Sequence, residues 1–395
     1  MNYKRIFVIV MDSVGCGYTE KSIEYGDINV NTIKHISEYN NGITLPTLEK
    51  LGFGNLTNII GVNKNNNTIG AYGYMDELSI GKDTLTGHWE MMGIKTTTPF
   101  KTFTDTGFPK ELIDKIEKET GHKIIGNISA SGTEIIKELG LEHIETGKMI
   151  VYTSSDSVLQ IAAHEKYFGL NELYRVCEIT RKICMDPKYM VGRIIARPFI
   201  GETPNDFIRT ENRHDYAVSP SDVTALNILK DNNLDVISVG KIKDIFNNSG
   251  ITESYKSKNN EDGMRITIDL LKKDFTGLCF VNLVDFDSLY GHRRDPVGYK
   301  KALEEFDSLL NEMLFKINKD DLVIITADHG NDPTWIGTDH TREYVPLLAY
   351  SPNIKNINLG KRDTFSDIGK TILDNFNLSG LKIGKSFLDE ITIKE

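Results

Sequence analysis

The sequence predicts an α/β protein: a mainly parallel central sheet flanked by helices, with a smaller α+β module inserted into the first domain. Three observations carry this reading. From about residue 220 onward strands and helices alternate, the pattern of βαβ units. Residues 99–219 hold a full set of elements of their own. The chain has 395 residues, beyond the usual reach of a single core, so two domains are expected: 1–98 with 220–395, and 99–219.

Strand Ile6–Val10 opens the core, and the chain then runs through Gly-rich and Asn-rich turns, of which Asn63–Asn67 is the plainest surface loop. The inserted region reads as helix Pro109–Thr120 ended by Gly121, strand Lys123–Gly126, helix Thr133–Leu139, strand Met149–Thr153, helix Asn171–Met185 and strand Val191–Ala196. The core resumes with strand Asp235–Val239, a helical stretch near Asp244, helix Met264–Lys272 and strand Leu278–Val284. A long helix starts at Pro296, a residue suited to the first helical position, and Tyr299, Leu303, Phe306, Leu310, Met313 and Ile317 keep 3.6-residue spacing along it. The run Leu322–Thr326 that follows is too short and too β-branched for a helix, so it is a strand.

The composition, 39% hydrophobic and 26% charged, is that of an ordinary globular protein. A net charge of −10 with no long Lys/Arg run argues against a nucleic-acid partner, since binding through counterion release needs a basic face. A small anionic substrate remains compatible with local cations. The four cysteines, Cys16, Cys177, Cys184 and Cys279, form no C-x-x-C pair, and Cys177 and Cys184 share one helix face, so reduced, buried thiols are expected. Lys4-Arg5 followed by Ile6–Met11 superficially resembles a signal peptide. The apolar run ends at Asp12 without a cleavage site, which makes it a first strand and the expected location cytoplasmic. No apolar run approaches the roughly 20 residues that cross a bilayer, and neither a membrane nor an obligatory protein partner is expected.

The richest chemistry lies where strands end. Ile325-Thr326-Ala327-Asp328-His329-Gly330 carries a buried strand straight into two ligand-type residues, and Thr338-Asp339-His340-Thr341 supplies a third. Asp12 ends the first strand, and Asp287 and His292 follow Leu278–Val284. Three carboxylates and three imidazoles without a thiolate suit two divalent ions such as Mn²⁺ or Zn²⁺ better than a structural zinc. Four positive charges against three carboxylates leave an excess that favours a phosphate. Taken singly, Asp12 or Asp328 reads equally as a helix N-cap, and a lone His near a strand end as a hydrogen-bonded core residue; it is the joint pattern that is specific.

Between these groups lies Ser79-Ile80-Gly81-Lys82-Asp83-Thr84-Leu85-Thr86-Gly87-His88-Trp89-Glu90. Its Gly-Lys pair fails as a phosphate-binding loop: Asp76 replaces the required earlier glycine, and Asp83 stands where Ser or Thr must follow the lysine. Thr84 reads as an N-cap on a helix beginning near Leu85, and a hydroxyl there beside a metal is also a nucleophile facing phosphorus. Thr86 and Ser13 remain alternatives by spacing alone.

These residues resemble the alkaline phosphatase superfamily of two-metal phosphotransferases and, within it, the bacterial phosphopentomutase family. The similarity covers nearly the whole chain: Met11-Asp12-Ser13-Val14-Gly15, Gly81 to Gly93, Thr153-Ser154-Ser155-Asp156-Ser157-Val158, Gly192 to Pro198, Asn212-Arg213-His214-Asp215-Tyr216, Asp285 to Asp295, and Ile325 to Pro346. The resemblance implies an alkaline-phosphatase-like core with an inserted cap domain, and a phosphorylated threonine at Thr84. It assigns one metal to Asp287, His292 and His340 and the other to Asp12, Asp328 and His329 with the Thr84 oxygen, manganese being the family's usual ion. Ser154, Asp156, Arg193 and Arg209 of the cap, with Lys241 of the core, would hold the sugar phosphate. On the residues alone, Arg193 and Arg209 read equally as surface ion pairs and Asp156 as a helix cap. The loop after Gly17 reads Tyr18-Thr19-Glu20-Lys21 where relatives often carry Pro-Asp-Ala, and Ser129 replaces a common proline; neither touches a proposed ligand.

The implied reaction interconverts ribose 1-phosphate, or 2-deoxyribose 1-phosphate, with the 5-phosphate through a phosphothreonine and a bisphosphate, placing the enzyme in nucleoside and pentose phosphate metabolism. Ribose 1,5-bisphosphate or glucose 1,6-bisphosphate would act as activator. The rival readings are cofactor-independent phosphoglycerate mutase, which uses a serine nucleophile and a different insert, plain phosphomonoester hydrolysis, and a metal-stabilised sugar-phosphate sensor without turnover.

Overall fold

The computed structural model describes residues 2–154 and 157–393. The chain divides into two compact units, Met1–Thr97 with Ser219–Glu395, and Thr98–Val218. The first unit carries β1 (Arg5–Met11) and β2 (Ala71–Met75). The second carries β3 (Ile124–Ser129), β4 (Met149–Thr153), β5 (Val158–His164), β6 (Arg193–Ile200), β7 (Ile208–Arg209) and β8 (His214–Ala217). The first unit is completed by β9 (Asp235–Val239), β10 (Glu253–Tyr255), β11 (Gly277–Leu283), β12 (Asp321–Thr326), β13 (Val345–Tyr350) and β14 (Asn358–Arg362).

The first unit's sheet runs β10-β9-β11-β1-β12-β13-β2-β14. Neighbours from β10 to β12 are parallel. β13 is antiparallel to both β12 and β2, and β14 pairs parallel with β2. Strands β1, β11 and β12 are buried along their whole length, which is why each reads as a continuous apolar run instead of an alternating one. Their charged residues stand at the amino-terminal edge. Arg5 and Asp321 face each other in register, and the guanidinium meets both carboxylate oxygens at 2.7 and 2.9 Å while also donating to the Leu271 and Lys273 carbonyls. At the opposite edge Met11 pairs with Leu283 and Val10 with Thr326, so the residues that follow these three strands emerge side by side.

Helix Pro296–Leu314 begins with Pro at its first turn, capped by Asp295, whose carboxylate accepts from the Gly298 amide at 2.9 Å. Its buried face includes Tyr299, Leu303, Phe306, Leu310 and Met313. Ile317 is buried too, although the helix ends at Leu314.

In the second unit the sheet runs β3-β4-β5-β6-β7, with β8 also on β6. Helix Gly132–Thr146 is longer than the expected Thr133–Leu139 because Gly140 does not end it; a Cβ there would lie 2.5 Å from the Phe207 ring, so the glycine marks close packing. Strand β5 has no counterpart in the sequence reading, since Gln160 and His164 interrupt its apolar run. Both are nonetheless buried, Gln160 accepting from Arg197 at 2.9 Å and His164 bonding the Gly201 carbonyl at 2.8 Å. All four cysteines are free and buried. Among the described residues no helix is long and apolar enough to cross a membrane.

Candidate metal centre

Asp12 leaves the end of β1, and Asp328 and His329 follow β12 through Ala327. Asp287 lies in the turn Phe286–Gly291 after β11, with His292 next to it. His340 closes a loop over residues 331–340, whose neck is pinned by reciprocal Gly330 and Thr341 backbone bonds of 3.0 and 2.9 Å. The ligand atoms of Asp12, Asp328 and His329 lie within 4.8 Å of one another, as do those of Asp287, His329 and His340. His292 Nε2 joins the second group, 3.1 Å from Asp287 Oδ2 and 3.0 Å from His340 Nε2. His329 thus stands within reach of both groups, its ring stacked 4.0 Å from that of His340.

The donor set fits cations. Hydrogen bonding assigns the Nδ1 proton in three imidazoles: His329 to the Gly330 carbonyl at 3.0 Å, His340 to Lys82 at 2.9 Å and His292 to Thr338 at 2.7 Å. In its neutral form each ring turns an Nε2 lone pair inward, and the Nε2 atoms of His292 and His340 face each other at 3.0 Å, an arrangement that needs a positive charge between them. Asp12 Oδ2 accepts from the Asn282 side-chain amide, and Asp328 Oδ1 from the Ser13 backbone amide, at 2.8 and 3.0 Å. Their other oxygens are buried without a hydrogen-bond partner, 3.5 and 3.3 Å from His329 Nε2. Among the described residues no Lys or Arg forms an ion pair with Asp12, Asp287 or Asp328. With protein groups alone around it, Asp12 is pushed well above the usual carboxylate range, by burial first and then by Asp328 and Asp287. Burial also opposes ionisation of Asp287, but His340 and His292, when protonated on Nε2, hold it well below that range. Oxygen and imidazole donors, excess carboxylate and orphaned buried oxygens are what a divalent ion satisfies.

Helix Thr84–Met91 delivers the hydroxyl. Its N-cap is Asp83 and not Thr84: Asp83 accepts from the Thr86 amide at 3.1 Å, and Thr84 is the first helical residue. Asp12 and Asp328 cap no helix. Three hydroxyls competed by spacing. Thr86 Oγ1 is spent on Asp83 at 2.7 Å and Ser13 Oγ on the Tyr299 hydroxyl at 2.9 Å, both buried, whereas Thr84 Oγ1 lies 3.2 Å from His329 Nε2. The helix rests on the ligand loop through Gly87, where a Cβ would meet the Asp328 carbonyl oxygen at 2.2 Å. The preceding loop is held by buried Arg342, paired with Glu77 at 2.8 Å and donating to the Ser79 and Gly81 carbonyls, and by Glu90, which accepts from the Leu78 and Ser79 amides.

Several supporting roles escaped the sequence reading. Asn282 on β11 links Asp12 to His88 Nε2 at 3.3 Å, and His88 Nδ1 donates to the Thr84 carbonyl at 2.8 Å, tying a ligand to the hydroxyl's own backbone. Ser13 holds φ at +72°, a conformation costing about 1–3 kcal/mol, so that its amide reaches Asp328. Asn331 donates to Asp287 Oδ1 at 2.7 Å. The only available signals were a polar residue inside a buried strand and a His one turn after Thr84.

The substrate candidates are more scattered. Ser154 follows β4, and Arg193 opens β6, 3.7 Å from Asp215. Arg209 pairs with Phe199 near the other end of β6, about 20 Å along the strand by backbone rise, with its side chain beside Gly132. Lys241 is exposed just after β9. Asp156 lies outside the described residues.

A model of the Metalloenzyme superfamily matches residues 4–380. A Clostridium botulinum protein described as phosphopentomutase is 58% identical over 392 residues, spanning 98% of this chain and 99% of its own. Among solved structures, a Pyrococcus horikoshii protein aligns with a TM-score of 0.52 at 15% identity, covering 98% of this chain and 100% of that one. Leishmania mexicana phosphoglycerate mutase aligns at 0.50 and 10% identity, covering 99% and 98%; these likenesses concern the fold alone.

Proposed function

The chain belongs to the Metalloenzyme superfamily and to its phosphopentomutase family, and from that premise we propose that it is a cytoplasmic isomerase moving phosphate between the 1 and 5 positions of ribose or 2-deoxyribose. The observation that carries the reading is the 58% identity, over 98% of the chain, to a protein described as phosphopentomutase. Asp287, His292 and His340 would hold one divalent ion, and Asp12, Asp328 and His329 the other, with manganese as the ion. When bound, such ions offset the charge of a transferring phosphoryl group and stabilise attacking and leaving oxygens.

Thr84 is the nucleophile in this reading. As the first residue of its helix it presents phosphate to free backbone amides and the positive end of the helix dipole. The phosphoryl group leaves Thr84 for the free hydroxyl of a pentose monophosphate, and the resulting bisphosphate returns its other phosphate to Thr84. A sugar bisphosphate, ribose 1,5-bisphosphate or glucose 1,6-bisphosphate, would prime the enzyme. Ser154, Asp156, Arg193, Arg209 and Lys241 are proposed as sugar-phosphate residues on the family resemblance.

The test is to incubate Mn²⁺-loaded protein and a bisphosphate primer with ribose 1-phosphate, and separately with 3-phosphoglycerate. Ribose 5-phosphate formed in the first alone supports the reading; turnover of 3-phosphoglycerate, or free phosphate as the main product, refutes it. Thr84→Ala should abolish both transfer and phosphoenzyme, and label retained on another residue would remove Thr84 from the role.

A further inference from the structure

Residues 331–340 form a ten-residue excursion without strand or helix, yet they orient every member of one ligand group. Asn331 donates to Asp287, the Thr338 carbonyl accepts from His292 Nδ1, and His340 is itself part of the loop. Unpaired loop carbonyls are natural sites of disorder. Here they converge on one side chain. Arg294 Nε donates to the Gly337 carbonyl at 2.6 Å, Nη1 to Asp332 at 3.1 Å and to Asn331 Oδ1, and Nη2 to Asp339 at 3.0 Å. Nη1, its two N–H groups shared among three acceptors, also lies 2.9 Å from the Gly291 carbonyl and so anchors this fork to the turn bearing Asp287 and His292. Arg294 adopts φ +53°, left-handed backbone rare for a long side chain, which the converging bonds over-determine.

We propose that Arg294 is a positioning residue for the Asp287–His292–His340 ion: its guanidinium shapes the loop that aims all three ligands, and it does nothing comparable for the Asp12–Asp328–His329 group. The inference rests on the two-ion reading above. Lysine cannot substitute, because a point ammonium lacks the planar fork that spans both ends of the loop and Gly291 at once. Loss of a residue that orients ligands typically weakens metal affinity about 10–100-fold.

The experiment measures Mn²⁺ stoichiometry by elemental analysis after dialysis, and affinities by calorimetric titration, in unmodified protein, Arg294→Lys, Arg294→Met and Arg293→Met. Arg293 is exposed and serves as the neighbouring control. Circular dichroism checks folding, with the lysine variant as the milder change. The expected result is two ions in unmodified protein and Arg293→Met, and one tight ion with a second weakened about 10–100-fold in both Arg294 variants. Two undiminished ions in the Arg294 variants, or equal loss of both, overturns the proposal. A single ion in the unmodified protein defeats the two-ion reading itself and the proposal with it.

Discussion

Glu343 is a buried peg beneath both candidate ligand loops, and its titration gives the most quantitative expectation. One carboxylate oxygen accepts from the Thr32 and Thr341 hydroxyls at 2.7 Å each, and the other from the Thr32 and Gly17 amides at 2.9 and 3.3 Å. Gly15 and Gly330, adjacent to the ligand segments, have no room for a Cβ because Glu343 lies 2.4 Å from where each would stand. Burial, and then Asp332, push Glu343 from 4.5 up to about 7, although the threonine bonds pull the other way. A carboxyl whose folded pKa is raised stabilises the protein fully below the unfolded value and loses that contribution as pH climbs through the folded one. The window is therefore about pH 4.5 to 7, and at about 1.4 kcal/mol per pH unit the contribution is about 3 kcal/mol. Glu343→Gln keeps the shape without the titration. Both tryptophans, Trp89 and Trp335, lie in the first unit, so their fluorescence during urea unfolding reports on that unit. Comparing the two proteins at the same pH cancels every other group. The variant should gain about 2.5 kcal/mol relative to unmodified protein between pH 5 and 8, and a constant difference would refute the argument.

Gly87→Ala forces the helix Thr84–Met91 away from the Asp328 carbonyl, and a displacement of even about 1 Å should cut turnover about 100-fold while substrate affinity changes little; normal turnover would show that the helix shifts without moving Thr84. Asp321→Ala leaves the Arg5 guanidinium buried without its carboxylate, and stability to urea should fall by about 3–5 kcal/mol; a loss below about 1 kcal/mol would mean that the Leu271 and Lys273 carbonyls suffice. His143, in the second unit, is held below the usual imidazole range, chiefly by burial. Stability from a depressed imidazole is present above the unfolded value and lost as pH falls, so this unit should begin to lose stability below about pH 6.5, and His143→Phe should lessen that acid sensitivity; an unchanged acid dependence would refute it.

The α/β class was legible because strands buried on both faces leave unbroken apolar runs, as in β1, β11 and β12, and because Pro296 and a 3.6-residue stripe announce the longest helix. The antiparallel β13 and the buried β5 were not, since pairing direction depends on which strand lies alongside and the polar residues of β5 find partners only across the sheet.

Residue type and chain position alone determined that carboxylates and imidazoles follow strand ends and that a Thr-rich helix start lies between them. Tertiary structure decided the rest. Strand register sets Asp12 beside Asp328 and His329, the packing of Gly87 against Asp328 turns one hydroxyl of three toward His329, and Asn282, His88, Asn331 and Arg294 acquire their roles only through partners far away in sequence. Hydrogen bonds to such partners are not encoded in local periodicity, because they exist only once the sheet has brought distant segments within about 3 Å of each other.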